Sequence, residues 1–132
     1  MKLVIFSDVH GNLPALKTML EHAGNVDGYI CLGDVVNYGP WSEECVSLIK
    51  KLPNCIYIEG NHEEYFLTGI YPGENVIAKT FFEFCYPKFT AQDLIIGLPK
   101  SYELGSFVFS HTISNQYIYP DSVIRLDKNY VV

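Results

Sequence analysis

The sequence predicts an α/β fold in which parallel strands alternate with helices. Two observations support this prediction: short apolar runs alternate with helix-like segments over the first 60 residues, and each of these runs is followed by glycine and polar residues typical of turns. The chain has 132 residues, of which 48% are hydrophobic. This is enough for one hydrophobic core, so residues 1–132 are predicted to form a single domain.

The first half of the chain follows the order strand, helix, strand, helix, strand. Three apolar runs have the length of buried strands: residues 2–7, 29–32 and 55–58. The first helix is expected to begin after the cap residue Asn12 and to end at residues 24–25. The second helix is expected to begin at residues 40–42 and to end before Pro53. Strands separated by helices in this way form a parallel sheet with crossover connections.

The second half of the chain has a different pattern. Residues 74–86 are predicted to form a helix rich in phenylalanine, whose rings are assigned to the core. A cap over the substrate and a dimer face are the alternatives. Thr90 is predicted to cap a further short helix, with Asp93 as its capping-box partner. Residues 102–110 are predicted to form a hairpin, and residues 130–132 resemble the start of another strand.

Charge and composition exclude several classes of function. The net charge is −6 and the pI is near 5.0, so stable binding to nucleic acid is not expected. The four cysteines form no CxxC pair and are expected to be buried, reduced thiols. The N-terminal apolar run is too short for a signal peptide, and no apolar stretch approaches the roughly 20 residues of a membrane span. We therefore expect a cytoplasmic protein that does not enter a membrane.

Side chains that can bind metal follow four separate strands. They are Asp8 and His10, Asp34, Asn61 and His62, and His111. In an open α/β sheet, ligands bind at the carboxyl ends of the strands, so these side chains are expected to meet at one edge. Oxygen and nitrogen donors without thiolate suit Mn, Fe, Zn or Co, and the paired sites that act on phosphoryl groups. Each motif is weak by itself, but the ordered set predicts a metal centre.

The ordered motifs DVH, GD, GNHE and H resemble the metal-site signature of the calcineurin-like metallophosphoesterases, over residues 1 to about 120. The segment GDVVNYGP, residues 33–40, is similar to the small bacterial and archaeal branch. Protein Ser/Thr phosphatases instead have GDxVDRG at this point. Asn37 stands in the place of the Asp that orients the catalytic histidine, and Tyr38 in the place of the Arg that binds phosphate. The resemblance implies an α/β/β/α sandwich, incomplete here at the C-terminus.

The resemblance also implies two divalent metal ions, with Mn as the first expectation and Fe, Zn, Co or Ni as alternatives. Asp8 and His10 would bind the first ion, Asn61 and His111 the second, and Asp34 both. The substrate would be a small phosphorylated molecule, either a phosphomonoester or a phosphodiester, with nucleotides among the candidates. A hydroxide held between the two metals would attack phosphorus.

Further roles are predicted for the catalytic residues and for several other side chains. The resemblance assigns His62 to the leaving oxygen as general acid or transition-state stabiliser, so His62 and Asp34 are the predicted catalytic residues. Glu63 would either support a metal-bound histidine or face solvent in a first helical turn, and the sequence leaves both readings open. The remaining histidine, His22, is predicted to lie on a solvated helix face. Tyr117 and Tyr119, which follow His111, are candidates for lining the pocket and stacking on a base.

The family's GHTH segment, which supplies one further ligand to each metal, is not found in these 132 residues. Our interpretation is that the chain is truncated before that segment. Loss of two ligands predicts weak metal binding and little activity. The alternatives are a non-catalytic protein-interaction module on the same fold and an inactive fragment. An uncovered sheet edge would also leave room for a homo-oligomer.

Overall fold

A computed structural model describes residues 1–132 and contains six strands and five helices. The strands are β1 (Leu3–Phe6), β2 (Gly28–Cys31), β3 (Cys55–Tyr57), β4 (Ser101–Leu104), β5 (Phe107–Ser110) and β6 (Asn129–Val131). The helices are α1 (Leu13–Ala23), α2 (Ser42–Lys50), α3 (Asn61–Thr68), α4 (Val76–Cys85) and α5 (Gln92–Ile95). The predicted alternation of strands and helices in the first half is confirmed.

The first sheet has the strand order β1-β2-β3, with both pairs parallel, as predicted. Successive residues of β2 serve different layers because side chains alternate across a strand. Ile30 packs in a cluster with residues of the second sheet, whereas Cys31 packs in the larger cluster with the helices. The central strand β2 is therefore covered on both faces, whereas Ile5 of the edge strand β1 is 44% exposed.

The second sheet contains the predicted hairpin. Strands β4 and β5 pair antiparallel, and β6 adds to β5 in parallel. Phe109 of β5 packs against Ile30 and Ile58 from the first sheet, so the two sheets lie face to face. Glu103 on the opposite face of this sheet is exposed, as is Phe107 at the start of β5. These 132 residues thus form three layers, α/β/β, of the expected sandwich, without helices outside the second sheet.

The helical side of the core is rich in aromatic rings. Phe66 contacts Phe82 and Phe89 in edge-to-face geometry, with ring centroids 5.6 and 5.3 Å apart. The prediction that α4 places its rings in the core holds for only one face of that helix. Phe82 is buried, but Phe81 is 43% exposed and Phe84 is 59% exposed.

The helix caps show which local predictions succeed. Asn12 caps α1 as predicted, since its Oδ1 accepts from the amide of Ala15 at 3.1 Å. The prediction for Thr90 is wrong. Its backbone N–H and its hydroxyl both donate to the carboxylate of Glu43, at 2.9 and 3.0 Å, and α5 begins after Ala91 instead. A partner 47 residues away has taken the place of a local cap.

All four cysteines are free thiols, and Cys31, Cys45 and Cys85 are buried. Burial raises the pKa of Cys45 to about 12 and that of Cys55 to about 11. Such thiols are protonated near neutral pH and carry no nucleophilic role. No helix combines the length and the hydropathy that crossing a membrane demands.

Candidate metal centre

The carboxyl ends of β1 and β2 are joined by backbone hydrogen bonds beyond the strands themselves. The amide of Asp8 donates to the carbonyl of Gly33, and the amide of His10 donates to that of Asp34, both at 3.0 Å. Asp8, His10 and Asp34 all have positive φ, at 54°, 47° and 54°. This conformation is uncommon for residues other than glycine and concentrates at functional sites, where surrounding contacts hold it in place.

Asp34 lies at the centre of the predicted ligands. Its carboxylate is 4% exposed, and its Oδ1 accepts from the backbone N–H of His62 at 2.9 Å. The other oxygen, Oδ2, faces three imidazole Nε2 atoms: His111 at 3.2 Å, His62 at 3.9 Å and His10 at 4.0 Å. The structure therefore brings side chains from two strand ends and one helix start to a single carboxylate oxygen.

Two of these imidazoles are oriented by backbone carbonyls. His10 Nδ1 lies 3.1 Å from the carbonyl oxygen of Val36, and His111 Nδ1 lies 2.9 Å from that of Leu32. A carbonyl oxygen only accepts, so Nδ1 carries the proton and Nε2 is left free to bind a cation. Burial alone would lower both histidine pKa values, but contacts with Asp8 and Asp34 respectively raise the net pKa of His10 and of His111.

The remaining predicted ligands lie beside these two rings. Asp8 Oδ1 is 3.5 Å from His10 Nε2, and this contact with His10 is the main cause that lowers the pKa of Asp8 to about 2. Asn61 Oδ1 is 3.0 Å from His111 Nε2. All six predicted site residues are thus neighbours.

This donor set fits divalent metal ions. His111 Nε2 faces two oxygen atoms, from Asn61 and Asp34, at 3.0 and 3.2 Å. With the proton on Nδ1, a neutral ring would place three acceptors together, an arrangement that requires a proton or a cation between them. Ligand atoms of His10, Asp34 and His62 also lie within 4.8 Å of one another. Imidazole, carboxylate and amide oxygen together suit Mn, Fe, Co or Zn.

His62 differs from the other two imidazoles in its polar partner. Its Nδ1 lies 3.1 Å from Asn37 Nδ2, which is a donor, so the proton of the neutral ring is on Nε2. Burial lowers the pKa of His62 to about 4. The structure therefore places Asn37 beside His62, as the resemblance implied. Asn37 Oδ1 is buried without a partner, which leaves the amide half satisfied.

The role of Glu63 was not found from the sequence, and both readings of it are wrong. The side chain is 0% exposed, and its hydrogen-bond partners include no histidine. Its carboxylate accepts from five groups: the backbone N–H of Asp34, Val35, Val36 and Gly60, at 2.8 to 3.3 Å, and the hydroxyl of Tyr57 at 2.9 Å. We call this set of contacts the Glu63 network.

The Glu63 network fixes the loop that carries Asp34 to the start of α3. Burial raises the pKa of Glu63, as does the negative charge of Asp34, while the backbone donors oppose the increase. The available signal was the spacing of Gly60 and Glu63, because a glutamate three residues after an N-cap can bond back to the N-cap amide. No pattern in the sequence indicates the other four donors.

Gly33 and Gly60 allow these two loops to approach each other closely. Gly33 has φ of 102°, and a Cβ atom there would lie 2.5 Å from the amide nitrogen of Gly60. A Cβ atom on Gly60 would overlap both the backbone and the carboxylate of Asp34. Side chains at these positions would push Asp34 away from the imidazoles.

The tyrosines and the fourth histidine are placed as follows. The ring of Tyr117 lies edge-on to His111, with centroids 6.5 Å apart, whereas Tyr119 is 63% exposed. Of the two tyrosines, then, Tyr117 is the one that contacts a site residue. His22 is exposed on α1, as predicted, and its Nδ1 lies 2.8 Å from the carbonyl oxygen of Thr18.

Comparison with known proteins identifies relatives of this arrangement. Residues 1–129 match the family described as calcineurin-like phosphoesterase. Over 63 residues the chain is 43% identical to an uncharacterised protein of Methanocaldococcus jannaschii, covering 46% of this chain and 26% of that protein. It is 38% identical over 76 residues to the catalytic subunit of serine/threonine-protein phosphatase 4 of Saccharomyces cerevisiae, covering 52% of this chain and 25% of the yeast protein.

Solved structures give the same result for the fold. A metallophosphoesterase from Sphaerobacter thermophilus superimposes with a TM-score of 0.73 at 32% identity, over 99% of this chain and 51% of that one. A putative diadenosine tetraphosphatase superimposes with a TM-score of 0.67 at 21% identity, over 89% of this chain and 55% of that one. The chain spans about half the length of these structures and about a quarter of the length of the curated relatives it matches.

Proposed function

The chain belongs to the calcineurin-like phosphoesterase family, and from that premise we propose that it hydrolyses small phosphoric esters at a centre of two divalent metal ions. The observation that carries the proposal is the convergence of three imidazole Nε2 atoms on Asp34 Oδ2, at 3.2 to 4.0 Å. Three strand ends and the start of α3 supply the surrounding donors. A structural salt bridge would need only one such partner.

The proposed ligands divide into two groups that share one carboxylate. Asp8 and His10 would hold the first ion, Asn61 and His111 the second, and Asp34 both. Mn²⁺ is the first candidate because the donors are oxygen and nitrogen without thiolate, and Fe, Zn, Co and Ni remain alternatives. When bound, the pair of ions supplies a water of lowered pKa and positive charge beside the phosphoryl oxygens.

His62 is proposed to act at the leaving oxygen. Its neutral ring carries the proton on Nε2, on the side that faces Asp34, because Asn37 occupies Nδ1. A pKa of about 4 keeps the ring neutral at pH 7. Of the two roles considered from the sequence, this favours a hydrogen-bond donor that stabilises charge in the transition state over an imidazolium acid.

The proposed substrate is a small phosphomonoester or phosphodiester, with nucleotides among the candidates. A net charge of −6 disfavours broad contact with nucleic acid. Tyr38 occupies the position where Ser/Thr phosphatases have a phosphate-binding arginine, which disfavours a protein phosphatase in the strict sense. We also propose that residues 1–132 form one domain, and the chain spans 51% of the Sphaerobacter structure.

The test is hydrolysis of p-nitrophenyl phosphate and bis-p-nitrophenyl phosphate in millimolar Mn²⁺. We expect slow turnover that requires the metal and falls at least about 100-fold in Asp34→Asn. The matched control is His22→Asn, which removes an exposed histidine outside the centre and should leave the rate unchanged. Calorimetric titration with Mn²⁺ is done in parallel. Binding of the metal without any turnover would contradict esterase activity in this chain and would favour the non-catalytic interaction module or an inactive fragment.

A further inference from the structure

A row of aromatic rings leads from the candidate metal centre to the surface. The ring of Tyr38 lies 4.8 Å from that of His10 and 5.1 Å from that of His62, measured between centroids. Phe81 of α4 follows, edge-on to Tyr38 with centroids 5.6 Å apart and an interplanar angle of 76°. Since Phe81 is 43% exposed, the row begins at two site histidines and ends at solvent.

The position of Tyr38 is set by the backbone. Tyr38 and its neighbour Asn37 have φ of 61° and 74°, in the left-handed region. The next residue, Gly39, donates its N–H to the carbonyl of His10 at 2.8 Å, which ties this turn to the loop after β1. Glycine, asparagine and aspartate adopt this conformation readily, whereas a large residue such as tyrosine adopts it only where its surroundings impose it. The backbone of Tyr38 is therefore held beside the site, and its ring packs against those of His10, His62 and Phe81.

The surface beyond Phe81 is apolar. A shallow cavity of about 310 Å³ lies there, lined by Val76, Ile77, Thr80, Phe81 and Phe84. The two lysines nearest in sequence have other partners. Lys79 Nζ is 3.8 Å from the carboxylate of Glu83, and Lys88 Nζ lies 3.2 Å from the ring centroid of Phe84. This surface therefore offers a ligand apolar contact and no uncommitted cation.

We propose that Tyr38 and Phe81 form the subsite for the leaving group and give the centre a preference for phosphoesters with an uncharged aromatic leaving group, such as an aryl or nucleobase-bearing alcohol. This inference rests on the proposed function. In the reaction the bond from phosphorus to the leaving oxygen breaks, water oxygen takes its place, and a proton passes to the leaving oxygen. His62 contacts Tyr38, so an aromatic group on that oxygen is placed against the row of rings.

The kinetic test compares Phe81→Ala with Phe107→Ala, using p-nitrophenyl phosphate and glycerol 3-phosphate in Mn²⁺. Phe107 is the matched control because it is also an exposed phenylalanine, but it lies at the start of β5 and does not line the cavity. We expect the aryl-to-alkyl ratio of kcat/KM to fall about tenfold in Phe81→Ala and to stay unchanged in Phe107→Ala. The ratio within one chain cancels differences in metal loading and folded fraction, and comparing the ratios of different chains cancels the intrinsic reactivity of the two substrates.

A binding test does not depend on turnover. Calorimetry compares phenylphosphonate with methylphosphonate on the Mn²⁺-loaded chain and on both variants. We expect phenylphosphonate to bind about tenfold more tightly, with the preference lost in Phe81→Ala alone. Circular dichroism melting checks that each variant is folded.

Other results would overturn the subsite. Equal affinity for the two phosphonates would do so while leaving the phosphate site, and the proposed function, intact. Loss of the preference in Tyr117→Ala instead of Phe81→Ala would place the leaving group beside His111 and Tyr117, and not beside Tyr38. Binding of neither phosphonate would reject the proposed function together with the subsite.

Discussion

Two buried carboxylates lie close together in this molecule, and their surroundings differ completely. Glu63 has five hydrogen-bond donors from the chain itself, so both of its oxygens are satisfied. Asp34 has one such donor on Oδ1, and its Oδ2 faces three imidazoles whose Nε2 atoms are 3.2 to 4.0 Å away. A carboxylate saturated by the chain holds structure, whereas one that faces other potential ligands is available to a cation.

The largest effect on stability is expected when the Glu63 network is removed. Glu63→Ala leaves four buried N–H groups and one hydroxyl without an acceptor, each costing about 1–3 kcal/mol. The sum approaches the whole stability of a domain, so we expect no cooperative unfolding transition in urea or heat. Glu64→Ala is the matched control, because Glu64 is the exposed neighbour and should change stability by less than about 0.5 kcal/mol. A Glu63→Ala chain that melts like the parent would show that the network does not stabilise the fold.

An intermediate effect is expected when the network loses one donor. Tyr57→Phe removes a hydroxyl that donates to Glu63 at 2.9 Å and leaves the four backbone donors in place. The expected loss is about 1.5 kcal/mol, typical of a hydrogen bond to a charged group. Urea denaturation followed by circular dichroism measures it. Tyr29→Phe is the control on the neighbouring strand, since no group of the chain hydrogen-bonds to that hydroxyl. Equal losses in the two variants would mean that ring packing, and not the hydrogen bond, is being measured.

The smallest effect on stability is expected at Asp34. Asp34→Asn keeps an oxygen that accepts from the amide of His62, and it places an NH₂ group toward the Nε2 atoms of His10 and His111, which can accept. We expect a change of less than about 1 kcal/mol without metal. The parent chain and the Asp34→Asn variant should differ much more in their response to metal. Millimolar Mn²⁺ should raise the Tm of the parent chain and leave that of the variant unchanged. Destabilisation as large as that of Glu63→Ala would remove the distinction between the two carboxylates.

Local signals in the sequence predicted the fold well. Asn12 caps its helix because the acceptor and donor are three residues apart, and the parallel strands follow from apolar runs of the right length. Thr90 was mispredicted because its partner, Glu43, lies 47 residues away and offers a charged acceptor. The exposure of Phe81 and Phe84 was also missed, because the sequence of an apolar helix does not indicate how many of its faces pack against other elements.

The candidate site was predictable as a set of residues but not as a geometry. Asp8, His10 and His111 could be grouped because each follows a strand and strand ends meet at one edge. The Glu63 network could not be predicted, because its main donors are backbone amides of residues 34–36, which no side-chain pattern distinguishes. The tautomers of the imidazoles likewise depend on the carbonyls of Leu32 and Val36, which become partners only after folding.

The hydrogen bond from His111 to the carbonyl of Leu32 has a consequence for the order in which the chain assembles. It joins residues 79 apart, whereas the contacts of Glu63 join residues no more than 29 apart. Closing the longer loop costs about 0.9 kcal/mol more in chain entropy. During synthesis, residues 1–63 emerge before the hairpin that carries His111 exists. We therefore expect the Asp34 loop to be ordered first by contacts within residues 1–63, and His111 to join a carboxylate that is already in place.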